Sequence, residues 1–156
     1  MKIYLIAVGT KMPAWVNEAY QEYAKRLPDE CRLQLIEIPA LKRFKADNPQ
    51  QILQQEGKKI LEKIPSRARR VALDEHGRAL DTRMLAQRLQ AWMQGGTDIA
   101  LLVGGPEGLS TECKEAADET WSLSALTLPH PLVRVIVAEA LYRAWSVLKN
   151  HPYHRD

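Results

Sequence analysis

Short apolar runs alternate along the chain with segments in which apolar residues recur every three or four positions. The runs lie at 3–8, 33–38, 71–73, 99–103 and 121–128, and we expect each to be a buried strand. The intervening segments have the spacing of amphipathic helices. Strands that alternate with helices predict an α/β fold, with a mostly parallel sheet and helices on both faces.

Local signals mark where several of these helices begin and end. Asn48-Pro49 is typical of an N-cap followed by a first-turn proline, and Asp81 and Ser110 can cap two further helices. Gly95-Gly96 predicts a left-handed helix end. His76-Gly77 predicts a turn after the third strand.

Length and composition limit the class of protein. The 156 residues are 46% hydrophobic and 26% charged, which predicts one domain spanning 1–156. Cys31 and Cys113 have neither metal-ligand nor redox spacing, so we expect a reduced, cytoplasmic protein. No cleavable signal peptide and no apolar stretch of about 20 residues is present, so no membrane partner is expected. The net charge of +3 permits a nucleic-acid partner without requiring one.

Ligands of open α/β sheets bind at the carboxyl ends of the strands. This rule points to the loops that follow Leu73, Val103 and Leu128. The segment 104–108, GGPEG, lets backbone amides approach a ligand closely, but it matches neither a dinucleotide fingerprint nor a P-loop. A plain tight turn explains the same residues, and Glu107 then has a structural role and not that of a base.

The segment 123–128 combines small and hydroxyl side chains and is followed by Pro129-His130-Pro131. Such residues can form a rigid wall whose amides and carbonyls recognise the edge of a flat ring. An ordinary strand followed by a helix start is the simpler interpretation.

The last predicted helix, which ends near Lys149, is apolar around nearly its whole circumference. Such a helix is buried on all sides, so we predict a homodimer through this helix, with burial within one chain as the alternative. Arg134 lies in its first turn, where the helix dipole disfavours a cation, so we expect an anionic partner, of which phosphate is a candidate. Glu139 and Arg143 have the spacing of an ordinary ion pair.

The C-terminal residues 149–155, KNHPYHR, combine basic, aromatic and imidazole groups. They suit the stacking and clamping of an unpaired nucleotide, although a solvated polar tail has the same composition. His151 and His154 have no clustered ligands beside them, so no metal is predicted. The basic runs at 42–45 and 67–70 add positive surface.

Four segments are distinctive: AVGTKMPAWV, LLVGGPEGLS, WSLSALTLPHPLVRV and AEALYRAWSVLKNHPYHR. Together they resemble the ribosomal RNA large-subunit methyltransferase H family, whose members are small knotted SPOUT-class enzymes. The resemblance implies a trefoil knot near the C-terminus, S-adenosyl-L-methionine as cofactor and a homodimer through the last helix. It also implies methylation at N3 of a pseudouridine in 23S rRNA, within the decoding-centre hairpin of the assembled 70S ribosome.

The resemblance implies which residues line the cofactor, and the chemistry of the implied reaction suggests roles for others. His154 is the first candidate for a general base and His130 the second, since an imidazole titrates near neutral pH. Arg143 would offset charge on the ionised ring. Tyr153 would stack on the flipped base. Arg134 and Arg155 would hold RNA phosphates. The residues expected to line the cofactor are Leu73, Gly104, Gly105, Leu123, Ser124, Ala125, Leu126, Thr127 and Leu128.

Two other functions are compatible with parts of the sequence. A non-catalytic ribosome-binding factor of the same fold would share the basic tail but would not need a glycine-lined pocket. A metal-free hydrolase could use Glu107 and His130, but the chain has neither a nucleophile elbow nor a phosphate loop.

Overall fold

The computed structural model describes residues 1–42 and 48–155. Positions 43–45 of the basic run at 42–45 therefore lie outside the described part. Strands and helices alternate through it, as predicted. The strands are β1 (Lys2–Val8), β2 (Arg32–Ile38), β3 (Arg69–Ala79), β4 (Ile99–Val103) and β5 (Glu119–Ser122). The helices are α1 (Ala14–Ala24), α2 (Pro49–Lys63), α3 (Thr82–Gly95), α4 (Thr111–Ala116) and α5 (His130–Leu148), with a 3₁₀ turn at Asp29–Cys31.

The strands form one sheet in the order β2-β1-β4-β3-β5, and each of these pairings is parallel. Ile3 of β1 lies opposite Leu33 of β2 on one side and Ile99 of β4 on the other. All of β4 is buried, as expected for a strand covered on both faces. The predicted α/β architecture is therefore confirmed.

Successive residues of β1 face two different helical layers. Leu5 packs in a cluster with Leu89 of α3 and Leu141 of α5, whereas Ile6 packs in a second cluster with Ile60 of α2. This alternation follows from the two-residue period of a strand. It places helices on both faces of the sheet, as predicted.

The predicted helix ends are confirmed. Asn48 accepts a hydrogen bond from Gln50 N at 2.9 Å, and Asp81 accepts one from Met84 N at 2.9 Å. Ser110 accepts one from Cys113 N at 3.1 Å. The three caps are the local side-chain bonds that these residue types favour. Helix α3 ends at Gly96, whose φ of 71° is left-handed.

The prediction for the fifth strand was wrong at its C-terminal end. It placed the strand at 121–128, but β5 ends at Ser122. Ser122 Oγ donates to Ser124 O at 2.9 Å, and Leu126 N donates to Ser124 Oγ at 2.9 Å. These local side-chain bonds replace the strand ladder, which is how serine interrupts regular structure.

The third strand is longer than the predicted 71–73. Leu73 and Arg78 both lie opposite Trp121 of β5, so residues 74–77 leave the ladder and return to it. The predicted turn at His76-Gly77 is this excursion, and not the end of the strand. A Cβ on Gly77 would lie 2.7 Å from the carbonyl carbon of Thr120, so only glycine permits the close approach of the two strands.

Helix α5 packs against both α1 and α3. Its buried side includes Val137 and Leu141. Ile136 and Ala140 are half-buried and line a shallow groove of about 160 Å³ beside Leu85 of α3. The apolar circumference seen in the sequence is therefore only partly covered by the chain's own helices.

Candidate active site

A cleft of about 830 Å³ lies at the carboxyl ends of β3, β4 and β5. The loops that follow these strands form its walls, as the sheet-edge rule predicts. The predicted residues Leu73, Gly104, Gly105, Leu123, Ser124, Leu126, Thr127 and Leu128 all line it. Ala125 is exposed and is not among the lining residues. Pro106 and Gly108 of the predicted segment 104–108 also line it, whereas sequence analysis did not name Asp74, Glu75, His76, Val103 and Val133.

The wall after β4 is a tight glycine turn. Gly108 N donates to Gly105 O at 2.9 Å, and the φ of Gly108 is 80°. A Cβ on Gly104 would lie 2.1 Å from Gly108 O. The turn therefore closes only with glycine at position 104. Glu107 also lines the cleft.

The segment 123–128 forms a second wall and is tied across the cleft to β3. Thr127 Oγ1 donates to Glu75 Oε2 at 2.8 Å, and both residues line the cleft. Leu126 is 74% exposed at the rim. Glu75 and Asp74 directly follow the predicted third strand, so polar residues just beyond a strand were the signal that could have revealed them.

The N-terminal turn of α5 forms the third wall. Pro129, His130 and Val133 line the cleft there. A Cβ on Gly9, which follows β1, would lie 3.5 Å from His130 Cε1. The turn after β1 therefore lies directly against the helix start that carries His130.

Arg134 has an anionic partner, as predicted, but this partner is within the protein. Its side chain is 1% exposed, and its Nη1 lies 2.6 Å from Glu37 Oε2 on β2. Its Nη2 donates to Gly9 O at 2.6 Å, beside Val8 O at 3.4 Å. The prediction that Arg134 meets an RNA phosphate is corrected, because its guanidinium is buried against a carboxylate and two carbonyls.

Four other predicted or adjacent residues meet near the C-terminal end of α5. Arg143 Nε donates to Glu139 Oε1 at 2.9 Å, which confirms the predicted ion pair. Tyr153 Oη donates to the same oxygen at 3.0 Å. Arg143 Nη1 lies 3.2 Å from His154 Nδ1, and because a guanidinium only donates, Nδ1 is the acceptor. We call Glu139, Arg143, Tyr153 and His154 the tail cluster.

Ring contacts fix the position of the tail cluster. The Arg143 guanidinium lies 4.8 Å from the centre of the Tyr153 ring, and that ring lies 4.7 Å from the Tyr142 ring. Burial raises the pKa of Tyr153 to about 12, and its bond to Glu139 adds to the shift. Tyr153 is therefore a neutral donor at physiological pH. Arg155 is exposed beside the cluster.

The tail cluster and the cleft lie at opposite ends of the parallel strands, the cleft at the carboxyl ends and the tail cluster near the amino ends. Near the cluster, Trp145 Nε1 donates to Glu30 Oε1 at 3.2 Å, and Lys149 Nζ lies 3.3 Å from the same oxygen. Glu30 lies in the 3₁₀ turn at Asp29–Cys31 that leads into β2, at the amino ends of the strands. His130 and Arg143 are separated by about 20 Å along α5 at 1.5 Å per residue. One chain thus places His130 in the cleft and the predicted Arg143 and His154 far from it.

The described residues, 1–42 and 48–155, contain no group of three or more His, Cys, Asp or Glu side chains arranged to hold a metal ion. Nor do they contain a helix long and apolar enough to cross a membrane.

Comparison with known proteins identifies relatives. The sequence profile of a family described as "Predicted SPOUT methyltransferase" matches residues 1–154. The protein named "Ribosomal RNA large subunit methyltransferase H" from Thioalkalivibrio sulfidiphilus (strain HL-EbGR7) is 60% identical over 156 residues, and the alignment covers 100% of each chain.

Solved structures share the fold. A "probable methylase family protein" from Haemophilus influenzae Rd KW20 has a TM-score of 0.58 at 16% identity, over 99% of this chain and 70% of its own. A "Probable Methyltransferase" from Bordetella pertussis Tohama I has a TM-score of 0.57 at 16% identity, over 91% and 95% of the two chains. At this identity the likeness concerns the fold alone.

The profile spans nearly the whole chain, so the chain is a member of the SPOUT methyltransferase class. The 60% identity to the Thioalkalivibrio protein, over the full length of both chains, then identifies the family within this class. The chain belongs to the ribosomal RNA large subunit methyltransferase H family. The family resemblance found in the sequence is therefore confirmed.

Proposed function

We propose that this protein transfers a methyl group from S-adenosyl-L-methionine to N3 of a pseudouridine in 23S rRNA. The target lies in the hairpin that reaches the decoding centre, and the substrate is the assembled 70S ribosome in the cytoplasm. The single observation that carries the proposal is the full-length 60% identity to a protein named as a large-subunit rRNA methyltransferase.

The residues of the cleft fit this cofactor. A volume of about 830 Å³ suits a nucleoside with an amino-acid side arm. Gly104 and Gly105 leave backbone amides free to meet an adenine edge, and the 123–128 wall supplies further backbone groups. The carboxylates of Asp74 and Glu75 complement a cationic ligand. When bound, the cofactor supplies a methyl group on a positively charged sulfur, which is a good leaving group.

We propose that the reaction uses two copies of the chain. The cleft and the tail cluster lie at opposite edges of one sheet, so the tail of one copy meets the cleft of its partner when the two α5 helices pack antiparallel. The half-buried face with Ile136 and Ala140 supports a homodimer through α5. The trefoil knot is expected to form from the segment 123–148 passing through the chain before it.

The tail cluster is proposed to act on the substrate nucleotide. The N3 proton of pseudouridine must leave, and His154 Nδ1 is the proposed acceptor. In the free protein that atom accepts from Arg143, so the base role requires Arg143 to turn toward the RNA and release it. Arg143 then offsets charge on the uracil ring, Tyr153 stacks on the base and Arg155 holds a phosphate. His130 is the alternative base, since it lines the cleft itself.

Labelled S-adenosyl-L-methionine offered with 70S ribosomes, separated subunits and naked 23S rRNA tests the proposal, with mass spectrometry of the nucleosides. We expect N3-methylpseudouridine on 70S ribosomes. Equal transfer to naked 23S rRNA would contradict the need for the assembled ribosome. Absence of cofactor binding would favour a ribosome-binding factor that is not an enzyme.

Mixing two inactive variants tests the shared site. Gly104→Ala damages the cleft and His154→Ala damages the tail, so a mixed dimer contains one intact pair. We expect the mixture to regain part of the wild-type rate, with each variant alone as control. A mixture that forms dimers but stays inactive would contradict the composite site.

A further inference from the structure

Two large apolar side chains are strongly exposed among the described residues, and both flank the candidate active site. Leu126, at 74% exposure, is on the cleft rim, and Trp15, at 55%, lies in the first turn of α1. The buried face of α1 carries Val16 and Tyr20, so Trp15 lies on the other side of the helix, away from the core. Its exposure has no explanation in the packing of the chain.

The chain brings Trp15 to the carboxyl edge of the sheet, where the cleft lies. Strand β1 is next to β4, and its end turns into α1 through residues 9–13. Gly9 is closely packed in this turn. A Cβ at this position would lie 2.5 Å from Met12 Cε and 3.5 Å from His130 Cε1. Since His130 lines the cleft, the turn that leads to Trp15 borders the same wall.

Two exposed lysines lie on the loops at this end of the sheet. Lys11 is exposed on the β1–α1 turn. Lys42 is exposed beyond the end of β2, and Gly9 N donates to Ile38 O at 2.7 Å, so the ends of the two strands are adjacent. An exposed indole with lysines on the neighbouring loops is a combination that binds unpaired nucleic acid, because the ring stacks on a base and the ammonium groups meet phosphates.

We infer that Trp15, Lys11 and Lys42 form a second contact for rRNA, separate from the tail cluster. Trp15 stacks on an unpaired base close to the target nucleotide, and Lys11 and Lys42 contact the flanking phosphates. This inference rests on the proposed function, because it takes rRNA as the substrate. It assigns to the β1–α1 turn a role in substrate affinity and none in cofactor binding.

The variants Trp15→Ala, Trp15→Phe and Lys11→Ala test the surface, with 70S ribosomes as the probe. We expect Trp15→Ala to raise the KM for ribosomes about 10-fold, since stacking on one base has that effect. Phenylalanine should restore most of the affinity. Lys11→Ala should lower the salt slope of ribosome binding by about 1. The kcat and the Kd for S-adenosyl-L-methionine should not change.

Lys63→Ala is the matched control for charge, because Lys63 is an exposed lysine at the end of α2 near the opposite edge of the sheet. An unchanged KM for ribosomes in Trp15→Ala would overturn the inference. So would a shift from dimer to monomer in light scattering, which would assign Trp15 to contact with a second copy. Wild-type protein that neither binds nor methylates ribosomes would instead overturn the proposed function, and the inference with it.

Discussion

Glu37 Oε2 lies 2.6 Å from Arg134 Nη1, although the two residues are 97 positions apart in the sequence. The contact joins β2 to the first turn of α5, and the same guanidinium also binds Gly9 O. Three elements that approach the cleft therefore meet at one buried cation. A cation that opposes the helix dipole is stabilised here by a carboxylate and by strand-end carbonyls.

Arg134→Ala is expected to destabilise the fold by about 3 kcal/mol, because it leaves Glu37 and two carbonyls without their buried partner. Urea unfolding followed by circular dichroism measures this. Arg143→Ala is the control: its ion pair with Glu139 is about one-third exposed, so we expect about 1 kcal/mol or less. Equal losses of unfolding free energy in the two variants would show that burial of the Arg134–Glu37 ion pair adds no stability.

Gly104→Ala is expected to weaken cofactor binding by at least about 10-fold, because its Cβ would clash with Gly108 O and force the turn open. Calorimetric titration with S-adenosyl-L-methionine measures the Kd. Gly95→Ala is the matched control, since nothing lies within 4 Å of the Cβ it adds. A normal Kd in Gly104→Ala would contradict the assignment of this turn to the cofactor.

The bond between Thr127 and Glu75 is expected to hold the 123–128 wall in place. Thr127→Val and Glu75→Gln should each weaken cofactor binding several-fold, and the double variant should be little worse than either single one. The coupling free energy should be about 0.5–1 kcal/mol in a double-mutant cycle. Strict additivity would mean that the two residues act independently. Thr97→Val serves as the control, because Thr97 is an exposed threonine before β4 that does not line the cleft.

The contact between the C-terminal tail and α5 should weaken at alkaline pH, because the Tyr153 hydroxyl loses its proton there. A raised pKa means that the bond to Glu139 stabilises the fold fully below the ordinary value of 10.0 and is lost as pH rises toward about 12. Tyr153→Phe removes the hydroxyl and keeps the ring. The free energy of unfolding of the wild type should therefore exceed that of this variant by about 1 kcal/mol at neutral pH. The difference should vanish as pH rises from 10.0 toward about 12. A constant difference measured by urea unfolding would contradict this.

The two cysteines are expected to resist alkylation while the protein is folded. Cys31 is fully buried, and burial raises its pKa to about 11. Burial also raises the pKa of Cys113. Neither thiol is then ionised to any extent at about pH 8. Mass spectrometry after iodoacetamide should find no adduct in native protein and two after denaturation in guanidinium chloride. Native modification of Cys31 would contradict its burial.

Much of the fold could be predicted because its signals are local. Asn48, Asp81 and Ser110 cap helices through bonds that reach only two or three residues along the chain. Prediction failed at 123–128, where apolar residues suggest a strand but Ser122 and Ser124 bond locally. Apolar content alone does not distinguish a strand from a cleft wall.

Part of the candidate cleft could be predicted from the sequence. The end of β3 and the glycine turn follow from the sheet-edge rule, since parallel strands end at one edge. The contacts of Arg134 could not be predicted, because its partner Glu37 becomes a neighbour only through strand order. Hydrophobic periodicity carries no information about which strand lies beside which.

The sequence by itself determined the α/β class, the helix caps, the strand ends that form the cleft and, through its resemblance, the family. These properties depend on residues close together in the chain or on motifs such as LLVGGPEGLS. Tertiary structure alone decided that Arg134 is buried on Glu37 and that His130 and His154 lie at opposite edges of the sheet. The physical reason is that α5 spans the sheet from edge to edge, and helical spacing specifies which residues share a face but not what each end of the helix meets.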